Sequence, residues 1–269
     1  MKAVWLLAAA AAFAADVRAC ETKLPLDGTL GVTSCAIGQD GCVAATQALN
    51  EYLAARKKSP DVLTVAVQGS PWHFFGPDHR IVTVDALAVS IRQARKPSHE
   101  RVMLYSSWSG VAPDRRTKSL AKRMAKAIDM PVEGMDGFLW VGPGGQMRTT
   151  RQARTAHEAT SPYGVQPNGE VFTPLVSGWA TGPELELDDA YLMLVAAEGQ
   201  EVFLLCPDAA LAGFEKAAEK GNAIAAYNAG VIHRERGDRK AALRAFERGA
   251  ELGDESSAQQ IAALKSTRK

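Results

Sequence analysis

Two short apolar runs are each followed by polar side chains that could take part in chemistry. Val62–Val67 ends at Gln68, and Val102–Tyr105 is followed by Ser107 and Ser109. Near-continuous β-branched and apolar residues predict strands that are buried on both faces. Because parallel strands end at the same edge of a sheet, the three polar side chains are expected together at that edge, where α/β proteins form their sites.

Ser107 and Ser109 are the candidate nucleophiles of this edge, and either would need a base. His73 and His79 follow the first run and are the best-placed histidines for a serine hydrolase. Neither serine lies in the Gly-x-Ser-x-Gly motif of a nucleophile elbow. Gln68 cannot act as the base, because an amide does not accept a proton near neutral pH. A periplasmic serine hydrolase is therefore the alternative to a protein without catalysis.

The two strand ends resemble the catalytic segments of caspase-like cysteine peptidases and related bacterial toxin-processing domains. In that family one strand ends in His-Gly and the next in a Ser-Cys-x-x-Gly type of segment, with histidine as base and cysteine as nucleophile. The resemblance covers residues 60–135 and assigns Gln68 to the histidine position and Ser107 to the cysteine position. It implies a caspase-like fold with both catalytic residues replaced. A generic doubly wound sheet fits the same residues.

An aromatic segment follows the first strand. Pro71–Pro77 contains Trp72, Phe74 and Phe75, and Trp108 follows the second strand. On the surface, these rings would form a hot spot for a protein partner. In the interior, they would close the core over the sheet. The four aromatic residues are the candidate partner-binding residues, and the sequence leaves both placements open.

Helical patterns alternate with the strands that position these residues. Val84–Lys96 and Leu120–Ile128 carry apolar residues on one helical face, and each follows one of the two strands. Gly137–Thr150 then has the pattern of a hairpin. This order predicts an α/β domain over residues 20–206, with a parallel-core sheet flanked by helices, either caspase-like or doubly wound.

The C-terminal part of the chain contains an internal repeat. Phe214–Gly221 recurs as Phe246–Gly253, a shift of 32 residues. The pattern resembles the Sel1-like branch of the tetratricopeptide repeats, in which antiparallel helices pack through aromatic and small residues. The resemblance implies an appended helical repeat over residues 207–269 that mediates protein contacts. Because so few repeats rarely stand alone, these helices are expected to dock on the α/β domain.

The N-terminus predicts export. Met1-Lys2 precedes the apolar run Ala3–Ala15, and small residues suited to cleavage lie before Cys20, so residues 1–19 are predicted to be a signal peptide. The predicted location is the periplasm. A lipid anchor on Cys20 would attach the protein to the outer membrane without a spanning helix. No other segment is long and apolar enough to span a bilayer.

The four cysteines are Cys20, Cys35, Cys42 and Cys206. Export permits disulfides, and two glycines between Cys35 and Cys42 favour a bridge between them. Cys20 and Cys206 would then pair if Cys20 carries no lipid; other connectivities remain open. The spacing does not fit a metal site, and Gly142–Gly145 lacks the lysine of a phosphate loop. We expect neither a metal nor a cofactor.

The charge balance narrows the class of partner. The net charge is +1, which argues against a general polyanion binder. Basic residues between Arg115 and Lys126 could meet a nucleic acid, an anionic membrane or an acidic protein, or form a solvated helix face. Export argues against nucleic acid. The sequence therefore predicts an exported, non-catalytic protein-binding protein, such as an immunity or accessory partner of a toxin or a secretion system.

Overall fold

The computed structural model describes residues 31–33, 57–76, 78–141, 146–150, 154–156, 164–165, 171–174, 189–202 and 205–266. The predicted signal peptide, Cys20 and the predicted bridge between Cys35 and Cys42 lie outside these residues, as does the hairpin turn at 142–145.

Twelve short strands, with two helices among them, precede five consecutive helices in the described part of the chain. The strands are β1 (Gly31–Thr33), β2 (Val62–Ala66), β3 (Gln68–Gly69), β4 (Phe74–Phe75), β5 (Ile81–Val82), β6 (Arg101–Tyr105), β7 (Val132–Glu133), β8 (Phe138–Val141), β9 (Met147–Thr150), β10 (Arg154–Ala156), β11 (Gly164–Val165) and β12 (Val171–Pro174). The helices are α1 (Val84–Ala94), α2 (Leu120–Ile128), α3 (Ala190–Val202), α4 (Pro207–Glu219), α5 (Ala223–Glu235), α6 (Arg239–Glu251) and α7 (Glu255–Ser266).

A three-stranded parallel sheet contains both predicted strands. Its order is β2-β6-β7, and β2 pairs with β6 from Val62 opposite Arg101 to Ala66 opposite Tyr105. The short strands β3, β4 and β5 form an antiparallel sheet within the connection from β2 to α1. The predicted α/β fold with a parallel core is therefore confirmed at this level.

Different elements cover the two faces of the parallel sheet. Val102 and Leu104 of β6 are buried in a cluster with α1 and α2. Met103 and Tyr105 point the other way, because side chains alternate along a strand, and they pack against Leu139 of β8. β8 belongs to a six-stranded sheet of order β10-β1-β11-β12-β8-β9. The parallel sheet thus lies between the helices α1 and α2 on one face and a second sheet on the other.

Local signals set the start of both helices that cover the sheet. Thr83 Oγ1 accepts a hydrogen bond from the Ala86 amide at 3.2 Å and caps α1. Ser119 Oγ accepts one from the Lys122 amide at 3.3 Å and caps α2. Such caps satisfy amides that have no partner within the helix. Both helices were predicted from their apolar spacing and are confirmed.

The chain then forms a layer of helices. α4 to α7 are joined by three-residue links, so neighbouring helices run antiparallel. Each link has a glycine with a positive φ, a conformation that favours glycine: Gly221 (98°), Gly237 (81°) and Gly253 (90°). The next residue in each link caps the following helix through its side chain: Asn222, Asp238 and Asp254.

Aromatic and small residues hold the helical layer together. Phe214 of α4 and Phe246 of α6, which lie at equivalent positions of the sequence repeat, are both fully buried. A Cβ on Gly230 of α5 would lie only 2.5 Å from the Phe246 ring. α3 packs along α4, where a Cβ on Gly213 would lie 2.8 Å from that of Ala197. The helical layer therefore includes residues before 207, where the repeat was predicted to begin.

The helices of the described part of the chain are all too short or too polar to cross a lipid bilayer.

Candidate functional site

The carboxyl ends of β2 and β6 lie side by side, as the sequence predicted. Gln68 begins β3 just beyond β2, and Ser107 lies in the turn just beyond β6. The two chain segments approach closely, since a Cβ on Gly69 would overlap the Ser106 hydroxyl. The sheet therefore brings Gln68 and Ser107 to one edge, and the side chains around this edge define the candidate site.

Both candidate nucleophiles at this edge are bonded to the backbone. Ser107 and Ser109 are fully buried. Ser107 Oγ accepts a hydrogen bond from the Leu139 amide at 3.1 Å. Ser109 Oγ donates to the Ser106 carbonyl at 2.8 Å and accepts from the Met135 amide at 3.1 Å. The two hydroxyls fix the turn after β6 to the chain that leads into β8.

His73 is buried between two helices of the helical layer. Its Nδ1 lies 2.9 Å from Glu201 Oε1 of α3, and its Nε2 lies 3.6 Å from Glu235 Oε2 of α5. The Ser70 hydroxyl donates to the same Glu201 oxygen at 2.5 Å. The Glu201 side chain is fully buried, so its charge depends on these two donors for the hydrogen bonds it would otherwise make with water.

The charges around His73 fix its protonation state. Burial alone would lower the pKa of His73, but Glu201 and then Glu235 outweigh it and raise the pKa to about 10. Burial would raise the pKa of Glu235, but His73 and then Arg123 outweigh it and lower the pKa to about 2. His73 is therefore a cation at neutral pH. An imidazolium cannot accept a proton from a nucleophile, so His73 is in the wrong state for a general base.

His79 forms a second pair with α3. Its Nδ1 lies 2.5 Å from Glu198 Oε2, and its Nε2 lies 3.2 Å from the Tyr191 hydroxyl. Burial raises the pKa of Glu198 to about 7, while contacts with His79 and then Gln68 oppose the rise. Burial would lower the pKa of His79, but Glu198 outweighs it and raises this pKa. Glu198 thus contacts both His79 and Gln68.

The structure does not assemble the predicted hydrolase pair. Among the described residues, neither His73 nor His79 forms a hydrogen bond with Ser107 or Ser109. Both histidines instead pair with glutamates of α3. The α3 glutamates contact the segment beyond β2, through Ser70, His73 and His79, whereas Ser107 and Ser109 bond to the chain around β8.

Further buried polar contacts fix the same segment to the helices. The Asn228 side chain of α5 accepts from the Ile81 amide and donates to the His79 carbonyl, both at 2.8 Å. Arg80 Nη2 lies 2.8 Å from Asp254 Oδ1, beside the start of α7. We call this set of contacts the clasp, and its members are Ser70, His73, His79, Arg80 and Ile81 on one side and Glu198, Glu201, Asn228, Glu235 and Asp254 on the other. The predicted docking of the helices on the α/β domain is confirmed.

The aromatic partner-binding candidates require a correction. Phe74, Phe75 and Trp108 are 0–1% exposed, so they belong to the core and cannot form a partner-binding surface. Phe75 packs with the helical layer, and the Trp108 ring packs on Phe138 edge-to-face at 5.4 Å. Trp72 is partly buried, and its carbonyl accepts a hydrogen bond from Arg123. The placement that closes the core is the observed one for these three rings.

Sequence reasoning missed the acidic half of the site. Glu198 and Glu201 lie more than 100 residues from their histidines, so no short motif joins them. One signal was available: the two glutamates stand three residues apart on the same side of a helix whose other residues are mainly apolar, Met193 and Leu194 among them. Buried carboxylates almost always have partners, so acids in such a helix predict cations elsewhere.

The described residues contain no group of three or more histidine, cysteine or acidic side chains that could hold a metal ion. Cys206, which precedes α4, is disulfide-bonded. Its predicted partner, Cys20, lies outside the described residues.

Comparison with known proteins gives one partial match. Residues 33–149 are similar to a family described as a domain of unknown function (DUF8616). The match spans β2 to β9, including the edge with Gln68 and Ser107, and ends before α3. No curated protein and no solved structure matches the chain.

Proposed function

We propose that the protein is an exported, non-catalytic protein-binding protein of the bacterial envelope. One observation carries the proposal: the side chains that hydrolysis would need are used to hold the fold together. Ser107 and Ser109 bond to the backbone, and His73 and His79 bond to buried glutamates. A nucleophile and a base must meet a substrate, whereas Ser107, Ser109 and His73 are buried and His79 is partly buried against Glu198.

The degenerate edge supports a caspase-like origin of the α/β domain. β2 and β6 are neighbouring parallel strands, and Gln68 and Ser107 follow them in the order that the family uses for its base and its nucleophile. With the catalytic residues replaced, the edge no longer has to stay open. Glu198 of α3 contacts Gln68, which stands at the position of the family's base.

The helical layer supports a role in contacts between proteins. The 32-residue recurrence, the buried aromatic pair Phe214 and Phe246, and glycines that end each turn are the features of a Sel1-like repeat. Repeats of this type bind proteins through their surfaces. The partner would be either a toxin that the protein neutralises or an envelope assembly that it assists.

The hydrolase alternative requires its own test. A serine hydrolase requires a neutral imidazole within hydrogen-bond reach of Ser107 or Ser109. A fluorophosphonate probe, which labels activated serines, tests this directly. We expect no labelling of the folded protein. Labelling that disappears in Ser107→Ala or Ser109→Ala would replace the proposed function with the hydrolase.

Partner capture tests the binding function. Tagged mature protein is cross-linked in the envelope and purified, and a stoichiometric partner is identified. Ser107→Ala, checked for folding by circular dichroism, should capture the same partner as the wild type, because no covalent step uses the hydroxyl. Failure of the wild type to retain any partner would contradict the proposal.

Export is tested in the same cells. A fusion of residues 1–30 to a reporter that is active only in the periplasm should be active and cleaved. An inactive, uncleaved fusion that stays in the cytoplasm would contradict the location.

A further inference from the structure

The outer sides of α1 and α2, the two helices over the parallel sheet, carry cations that have no acidic partner. α1 and α2 pack side by side on the same core, so the sides opposite their buried residues face solvent together. Six exposed cations stand along the two helices: Arg92, Arg95 and Lys96 at the C-terminal end of α1, beside the last turn of α2, and Lys118, Lys122 and Lys126 from the N-terminal end of α2 to its last turn. We call these residues the basic face.

These cations are not paired within the described part of the chain. None of the six forms an ion pair there, and Arg92 donates only to the carbonyl of Ala127. The acidic residues of the two helices, Asp85 and Asp129, lie at their ends and pair with none of them. Arg123 is a contrast: one residue beyond Lys122, it pairs with Glu235 at 3.2 Å and belongs to the internal contacts.

Two of the three lysines do not serve the stability of α2. Lys122 and Lys126 are four residues apart on the helix, so their like charges repel each other. Lys118 precedes the Ser119 cap and Lys122 lies in the first turn, where the helix dipole disfavours cations and no acidic residue offsets them. Lys126 lies in the last turn, where the dipole favours a cation. Helix formation therefore does not account for Lys118 and Lys122.

One exposed apolar residue lies on α1, three residues before Arg92. Val89 of α1 is 49% exposed, and Tyr191 is the only other large hydrophobic residue that is clearly exposed in the described part of the chain. Val89 lies one turn before Arg92 on the outer side of α1. An apolar centre with a charged surround is the usual arrangement of a protein interface.

We propose that the basic face is the surface that binds the protein's partner, and that the partner presents an acidic protein surface. This inference rests on the proposed binding function and specifies its site. A lipid surface fits less well, because the apolar sides of α1 and α2 are buried in the core and leave only Val89 to enter a bilayer. Complementary charge would speed association and select acidic partners.

A defined acidic probe tests the surface without knowledge of the partner. Binding of fluorescent poly-L-glutamate is measured by anisotropy for the wild type, for a basic-face variant and for a matched control. The basic-face variant is Lys118→Glu, Lys122→Glu, Lys126→Glu, and the control places the same charge change on α4 and α6 through Lys216→Glu, Lys240→Glu, Arg244→Glu. All six sites are exposed. Circular dichroism and thermal unfolding verify that each variant is folded.

The basic-face variant should lose about tenfold or more in affinity, and the control should lose about twofold or less. An equal loss in both would mean that only net charge matters, and it would overturn the proposal. Tighter binding of the wild type to phosphatidylglycerol vesicles or to duplex DNA than to poly-L-glutamate would assign the face to a membrane or a nucleic acid and also overturn it.

Partner capture separates the two proposals. If the wild type and the control retain a partner and the basic-face variant does not, both the binding function and its site are supported. If all three retain the partner, the protein is a binder but the basic face is not its site. If the wild type retains none, the binding function itself fails, whatever the probe shows.

Discussion

The pair between His73 and Glu201 provides the sharpest test of the clasp. His73→Gln removes the cation and leaves the Glu201 carboxylate fully buried, with only neutral donors near it, such as the Ser70 hydroxyl. Removing one partner of a buried ion pair destabilises a protein by about 3–5 kcal/mol, because the other charge is left without compensation. We therefore expect the free energy of unfolding at neutral pH to fall by about that amount.

The pKa of His73 gives a second route to the same magnitude. A rise from 6.5 to about 10 corresponds to roughly 5 kcal/mol of stabilisation. Because the folded-state pKa is raised, this stabilisation is fully present below pH 6.5 and is lost as the pH rises through 10. The wild type should therefore become less stable between neutral pH and pH 10. A variant with His73→Gln and Glu201→Gln lacks the pair, so it should lose less stability over that range.

Urea unfolding, followed by tryptophan fluorescence and circular dichroism at several pH values, measures both effects. The matched control is His233→Gln. His233 also lies 2.8 Å from a glutamate, but that partner, Glu215, is 49% exposed. An exposed pair contributes about 0–1 kcal/mol, so the control should change little. The reasoning is refuted if His73→Gln costs no more than His233→Gln, or if the wild type and the double variant depend on pH in the same way.

Three further predictions concern the rest of the fold. Gly230→Ala should lower thermal stability, although alanine normally favours a helix, because the added Cβ would lie 2.5 Å from the Phe246 ring. Phe246→Leu in the same chain should restore part of the loss. An increase in the stability of Gly230→Ala would refute the packing argument. Ser107→Ala should cost about 1–3 kcal/mol in chemical denaturation, because it leaves a buried amide without its acceptor; a cost near zero would deny the structural role of the hydroxyl. Non-reducing peptide mapping should link Cys206 to Cys20, and a free, alkylated Cys206 would contradict the disulfide.

The parallel core could be predicted from the sequence because its signals are local. Val62–Val67 and Val102–Tyr105 are short apolar runs between turn residues, and each is followed by an amphipathic helix. Parallel pairing and adjacency follow from that order, since a strand, a helix and a strand favour one crossover. The links of the helical layer were equally readable, because a glycine such as Gly221 or Gly253 recurs at a fixed spacing.

The candidate site could be predicted only in part, because its partners are distant in the chain. Gln68 and Ser107 were placed correctly at one edge, but Gln68 contacts Glu198 of α3 and Ser107 bonds to Leu139 of β8, both far along the chain. The histidines were considered as possible bases, whereas the fold pairs both of them with buried glutamates. One candidate partner-binding surface is buried in the structure, because the sequence of an aromatic segment does not reveal which element will cover Phe74 and Phe75.

The charged residues form two groups: those of the clasp stabilise the fold, and those of the basic face are free to attract a partner, as the proposed binding function requires. Catalysis needs a base with an accessible lone pair near its nucleophile, and a buried imidazolium such as His73 offers none. The same imidazolium is well suited to a second task, because it offsets the buried charge of Glu201 and fixes two helices to one loop. Internal charges are therefore matched, whereas the lysines of α2 are not, and only unmatched charge remains to attract another molecule. Under the proposed function, the serines and histidines therefore stabilise the fold, and the outer sides of α1 and α2 bind the partner.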